Sequence, residues 1–132
     1  MTDPIRDFPN MERLLAGVYA PLLGGTDHVG SQTPEDLEVH LPFLRIVRTG
    51  GFRTHLMDFP TMDLDYFEAD ELTGAPGASA VANRLLGKPP PHPSIDRVYC
   101  DPMFRELPWG DSDTVRRWGA TFFLETRMVR VA

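Results

Sequence analysis

The chain of 132 residues has a single cysteine, Cys100, and a single lysine, Lys88. A lone cysteine cannot close an internal disulfide, so the fold is expected to need no oxidising compartment. No apolar run approaches the length that spans a bilayer, and the opening Met-Thr-Asp-Pro-Ile-Arg-Asp lacks the basic start and apolar stretch of a signal peptide. Synthesis in the cytoplasm and no membrane partner are therefore expected. Positive charge is also short: 13 Lys and Arg stand against 19 Asp and Glu, a net charge of −6. Such a domain is a poor grip on nucleic-acid phosphates. The twelve arginines beside one lysine read as codon usage rather than as a functional signal.

A catalytic constellation is equally missing. Cys100 and Asp101 with His92 nearby could be drawn as a nucleophile and its base, but a cysteine at a strand end is far more often a small buried hydrophobe. His55, Asp58, Asp63 and Asp65 match no metal-ligand spacing, and alternating aspartates on a strand are usually its wet side. Thr49-Gly50-Gly51 lacks the lysine of a phosphate loop and opens no helix. No enzyme activity, cofactor or metal is expected.

What the sequence does contain suits one α+β domain over residues 1–132. Hydrophobic residues make up 42% and charged ones 24%, enough for a core, while 13 prolines and 11 glycines imply long loops. Asp7 can cap a first helix carrying Met11, Leu14, Leu15, Val18 and Leu22 at helical spacing, which Pro21 should end or kink. Residues 24–34 read as a loop. A first strand is predicted over 39–48, a tight reversal at Thr49-Gly50-Gly51, a second strand over 52–57 and a third over 61–69. On the third, Met62, Leu64 and Tyr66 share one face, and Asp63 and Asp65 the other. Asp70 can cap a second helix with Ala78, Val81, Ala82 and Leu85 on one side and Gly87 at its end, its first turns weakened by Gly74, Pro76 and Gly77. A stiff connector of prolines over 89–93 leads to a fourth strand over 95–100. A fifth runs from Arg117 to about Val129, with Trp118, Ala120, Phe122, Leu124 and Thr126 on its buried face. The order α-β-β-β-α-β-β predicts a mixed, largely antiparallel sheet of about five strands with two helices on one face.

Charge is uneven along the chain. Residues 1–78 carry 5 basic and 13 acidic side chains and residues 79–132 carry 8 and 6. Such a split suits head-to-tail self-association, with Arg116, Arg117 and Arg127 as subunit-interface candidates. Met103, Phe104 and Trp109, in the loop over 103–111, either meet a partner or fold back as a lid.

Taken in order, several segments resemble the tail-terminator proteins of long-tailed, siphovirus-type phages, especially those of actinobacteria. They are Leu41-Pro-Phe-Leu-Arg-Ile-Val-Arg-Thr-Gly-Gly51, Asp58 with Met62-Asp-Leu-Asp-Tyr-Phe67, an Ala-rich helix ending Arg84-Leu-Leu86, Ile95-Asp-Arg-Val98, Leu107-Pro-Trp109 and Arg116-Arg-Trp-Gly-Ala-Thr121. The match covers most of residues 9–128 and rests on order and spacing. It implies a structural virion protein of the neck that forms a homo-oligomeric ring, a hexamer, on the head-proximal end of the tail tube. Such a ring stops polymerisation of the major tail tube protein and docks the head-completion, or stopper, protein. Genomic DNA would pass through the lumen without specific binding, and Asp63 and Asp65 are the candidates to face it. The alternatives are another head–tail connector of the neck and, from a different class, a small cytosolic enzyme or ligand-binding domain.

Overall fold

In the computed structural model, which describes residues 6–110 and 114–130, a sheet backs onto two helices. Residues 1–5 and Asp111, which entered the readings above, lie outside the described residues. In chain order the elements are β1 (Arg6–Asp7), α1 (Met11–Leu23), β2 (Val29–Gly30), β3 (Phe43–Arg53), β4 (Met57–Glu68), α2 (Glu71–Leu86), β5 (Ile95–Cys100), β6 (Arg105–Leu107), β7 (Arg116–Arg127) and β8 (Val129–Arg130). Single 3-10 turns occupy Thr26–His28 and Leu37–Val39. The main sheet runs β2-β3-β4-β7-β5, with β6 also on β7, and β1 pairs with β8 in a separate ribbon. Among the described residues only the β2–β3 pairing is parallel. This is the α+β architecture that the sequence predicts, with helices on one face of a mixed sheet.

Both helices sit where apolar spacing places them. The cap of α1 is Asn10, whose Oδ1 accepts from the Arg13 amide at 3.0 Å, while Asp7 accepts from the amide of Phe8 instead. Pro21 does not end the helix but lies within its last turn; only Leu22 and Leu23 follow it, so its missing N–H weakens one terminal turn. Asp70 caps α2 through the Thr73 amide at 2.9 Å, and the helix carries Gly74, Pro76 and Gly77 without a break. The reason is packing. Gly74 lies against the Trp118 ring and Gly77 against Tyr66, so closely that a methyl group at either position would fall inside those side chains. Glycine is what lets α2 lie on the sheet.

The predicted reversal at Thr49-Gly50-Gly51 is not a turn. β3 continues through it to Arg53, and the chain reverses at residues 54–56, where the Thr54 hydroxyl accepts from the amides of Leu56 and Met57. The glycines form a bulge: the register shifts between Arg48 and Gly50, and Gly51 has φ 106° opposite Pro60. Pro60 has no N–H to give a ladder, so a central strand tolerates it beside this irregularity. The predicted second strand over 52–57 is thus the end of β3, the turn and the first residue of β4, and the predicted third over 61–69 is the later part of β4. Within residues 24–34, taken as loop, β2 adds a two-residue parallel strand to Leu44 and Arg45.

The inner face of the sheet and the two helices enclose the main core, which includes Leu15, Leu44, Ile46, Met62, Leu64, Val81, Leu85, Phe122 and Leu124. Tyr19 of α1 is fully buried and donates to the Val81 carbonyl of α2 at 2.5 Å, satisfying its hydroxyl and joining the helices. Burial raises the pKa of that phenol. On the outer face a second, smaller cluster of Leu37, Phe43, Phe67 and Val115 covers one end only.

The glycine contacts predict opposite results for two chemically identical substitutions. Gly17→Ala in α1 meets open space and should stabilise the fold by roughly 0.5–1 kcal/mol. Gly74→Ala should destabilise it by about 1–2 kcal/mol, because overpacking against Trp118 outweighs the gain in helix propensity. Urea unfolding of the two variants checks this, and equal effects would contradict it.

Candidate functional site

Asp63, Asp65, Arg117 and Trp109, of the sequence-predicted residues, gather on the outer face of the sheet, which reads in rows set by strand register. Phe43, Phe67 and Arg117 share the first row, Arg45, Asp65, Gly119 and Arg105 the next, then Val47, Asp63 and Thr121. Beyond these come Thr61, Phe123 and Tyr99, and last Phe52, Phe59, Glu125 and Arg97.

Alternation correctly puts Asp63 and Asp65 on one face, but Asp65 is not in water. It is 6% exposed. Arg45 bonds its Oδ2 at 2.6 Å through Nη2 and 3.1 Å through Nε, and Arg117 bonds its Oδ1 at 2.8 Å. The Trp109 ring roofs the trio, its centroid 5.8 Å from the Arg45 guanidinium carbon and 6.0 Å from that of Arg117. Trp109 in turn meets Phe67 edge to face at 4.8 Å. The space for Asp65 exists because Gly119 is opposite; a Cβ there would crowd both Oδ1 and Leu107. Asp65 is thus a neutralised internal anchor rather than a free wall charge. Asp63 is half-buried and accepts from the Thr121 hydroxyl at 2.9 Å, so of the two lumen candidates it alone keeps an unneutralised carboxylate on this face.

The interface candidates separate in the same way. Arg117 is drawn inward onto Asp65 and is only partly exposed, so its charge is spent within the subunit. Arg116 and Arg127 stay at the surface, Arg116 between Glu106 at 3.1 Å and Glu71 at 3.6 Å, Arg127 on Asp96 at 2.8 Å. Phe104 folds back, edge to face with Phe122 at 5.9 Å, and Trp109 folds over the outer face, so both act as lids. Met103 remains 47% exposed. Four aromatic residues that the sequence did not single out occupy the uncovered end of the outer face: Phe52, stacked on Phe59 at 4.5 Å, with Tyr99 and Phe123 half exposed beside them.

A second buried carboxylate lies across β4. Asp58 is fully buried at the hairpin end of the inner face, bonded by both Arg48 nitrogens at 2.8 and 2.9 Å and by Arg53 at 3.1 Å. Burial by itself raises the pKa of Asp58, but the hydrogen bonds and charges of Arg48 and Arg53 outweigh it and hold the group below its ordinary 3.8. The imagined metal set is therefore taken apart, with Asp58 on one face and Asp63 and Asp65 on the other, and among the described residues no group of three such side chains converges. Cys100 and His92 stand at opposite ends of β5, His92 bonding Ser94 at 2.8 Å. Burial, aided by Asp101, pushes the Cys100 thiol up to about 11, the wrong direction for a nucleophile.

On the helical side, a groove of about 670 Å³ runs between α1, the end of α2 and the connector before β5. Leu14, Val18 and Leu22 line it together with Arg13, Arg84 and His92. Helical spacing in α1 could have flagged Leu22 as one apolar residue too many for the buried stripe, since it is 52% exposed. No helix among the described residues is long and apolar enough to cross a membrane. No family model and no curated protein sequence matches the chain.

Asp58 sets a pH dependence. Its folded pKa is depressed, so the clamp contributes stability above the unfolded value near 3.8 that is lost as pH falls through the folded value. Asp58→Asn should cost about 2–3 kcal/mol at neutral pH, less than a wholly buried pair because both arginines are partly exposed. It should also flatten the loss of stability below about pH 4. Denaturant melts of both proteins between pH 2 and 7 measure the two effects; parallel pH profiles would show that the clamp does not carry the acid sensitivity.

Proposed function

We propose that this chain is a structural subunit of a phage neck, a tail terminator. Copies join into a hexameric ring on the head-proximal end of the tail tube, halt addition of the major tail tube protein, and receive the head-completion protein. In this reading the virion is its final location, and genomic DNA slides through the lumen without a specific grip.

One observation carries most of the support. Four of the six segments on which the resemblance rests meet on the outer face of the sheet: Arg45 comes from the first, Asp65 from the second, Trp109 and Arg117 from the last two, and these residues join in one cluster. The likeness therefore concerns one packed unit rather than scattered short matches. The surface suits a subunit with several protein neighbours, since it carries an open aromatic sheet face and, on its other side, a basic apolar groove. A net charge of −6 disfavours tight contact with passing phosphates, and Asp63 is the remaining candidate for the lumen wall.

Deleting the gene from its phage should yield tails of uncontrolled, excessive length that fail to join heads, counted by electron microscopy of lysates. Tails of normal length lying unattached beside filled heads would identify a stopper or adaptor instead. Normal virions would overturn both neck readings.

A further inference from the structure

Two surfaces of this molecule complement each other but cannot meet within one copy. The first is the groove beside α1. No carboxylate is among its lining residues, and among the described residues no ion pair engages Arg13 or Arg84, both of which are exposed. Its walls are apolar, with Leu22 half exposed. Two free guanidiniums over leucine and valine side chains call for an occupant that is acidic at its rim and apolar at its tip.

The second surface has that composition. Leu72, in the first turn of α2, is 88% exposed, more than any other large apolar residue of the described chain. Glu68, Asp70 and Glu71 flank it, with Arg116 reaching Glu71 at 3.6 Å from the side and leaving Glu68 and Asp70 without an ion-pair partner among the described residues. At the same end of the sheet, on the turn that leads into β3, Val39 is 69% exposed among Glu35, Asp36 and Glu38. Leu72 and Arg84 are twelve residues apart on one rigid helix, about 18 Å, so a copy cannot fold its own knob into its own groove.

We propose that the acidic end around Leu72 docks into the Arg13–Arg84 groove of a second copy of this chain. The contact joins different patches on the two partners, which is the heterologous kind that closes into rings when the rotation allows. It rests on the ring reading above and deepens it by naming the surfaces that join. Charge complementarity sets the register of the contact, and burial of Leu72 against Leu14, Val18 and Leu22 holds it.

The test uses two exposed substitutions, Leu72→Ser, which blunts the knob, and Arg84→Glu, which reverses the groove. Unchanged thermal unfolding shows that both fold. Native mass spectrometry and light scattering over a concentration series should find each variant alone self-associating at least about tenfold more weakly than wild type. A mixture of the two keeps one intact knob and one intact groove, so it should give 1:1 heterodimers and nothing larger. The proposal fails if either variant keeps the wild-type oligomer distribution, if the mixture gives no heterodimer, or if wild type is monomeric at every concentration, in which case an acidic segment of a different protein is the occupant. Rings that survive both substitutions would remove this contact and leave the terminator reading standing. Normal virions from the gene deletion, together with the predicted heterodimers, would do the reverse.

Discussion

A carboxylate taken out of water must find cations, and β4, with strands on both sides, buries two. Asp58 faces the helices and Asp65 faces away from them, and each is held by two arginines. The partners come from the neighbours of β4: Arg48 and Arg53 from β3 on one face, Arg45 from β3 and Arg117 from β7 on the other. A one-residue slip of either neighbour would carry an arginine to the wrong face and leave a buried charge alone. These clamps therefore define the register of the three central strands more stringently than apolar contacts do, since leucine and isoleucine tolerate exchange. The arginine-rich composition acquires a use here as well. Arg48 reaches both oxygens of Asp58 as a fork and Arg45 lies against two rings, geometries that a lysine ammonium does not reproduce.

Much of the architecture could be read from sequence because the long elements obey one rule at a time. α2 announces itself by Asp70 and by Ala78, Val81, Ala82 and Leu85, and β7 by the alternation of Trp118, Ala120, Phe122, Leu124 and Thr126, which Phe123 interrupts as an apolar residue on the other face. The β3–β4 hairpin departs from the sequence expectation where two rules conflict. Gly50 and Gly51 look like a turn but form a bulge, whereas the true turn at Thr54, His55 and Leu56 holds no Gly, Pro or Asn and is closed by a hydroxyl. β1, β2, β6 and β8 are two or three residues long, too short for any periodicity to register.

The surface was less legible. Alternation shows that Asp63 and Asp65 share a face with the odd-numbered residues of β7, yet it cannot show that Arg45, unremarked in the sequence, would reach Asp65 and neutralise it. Trp109 and Phe104 could be narrowed to lid or interface but not decided, because the outcome depends on the distant rings of Phe67 and Phe122. The groove is assembled from α1, α2 and the proline connector, three segments whose side chains reveal nothing about one another until the chain is folded.

Gly74 and Gly77 set how deeply α2 seats on the sheet, and that depth has a geometrical consequence at a larger scale. In any head-to-tail assembly built through the two ends of this helix, α2 acts as a strut whose tilt sets the angle between one copy and the next. A change of tilt of a few degrees, repeated around a closed circle, changes how many copies fit. Subunit number would then be encoded less by the contacting residues than by two hydrogen atoms in the place of methyl groups, pressed against Trp118 and Tyr66.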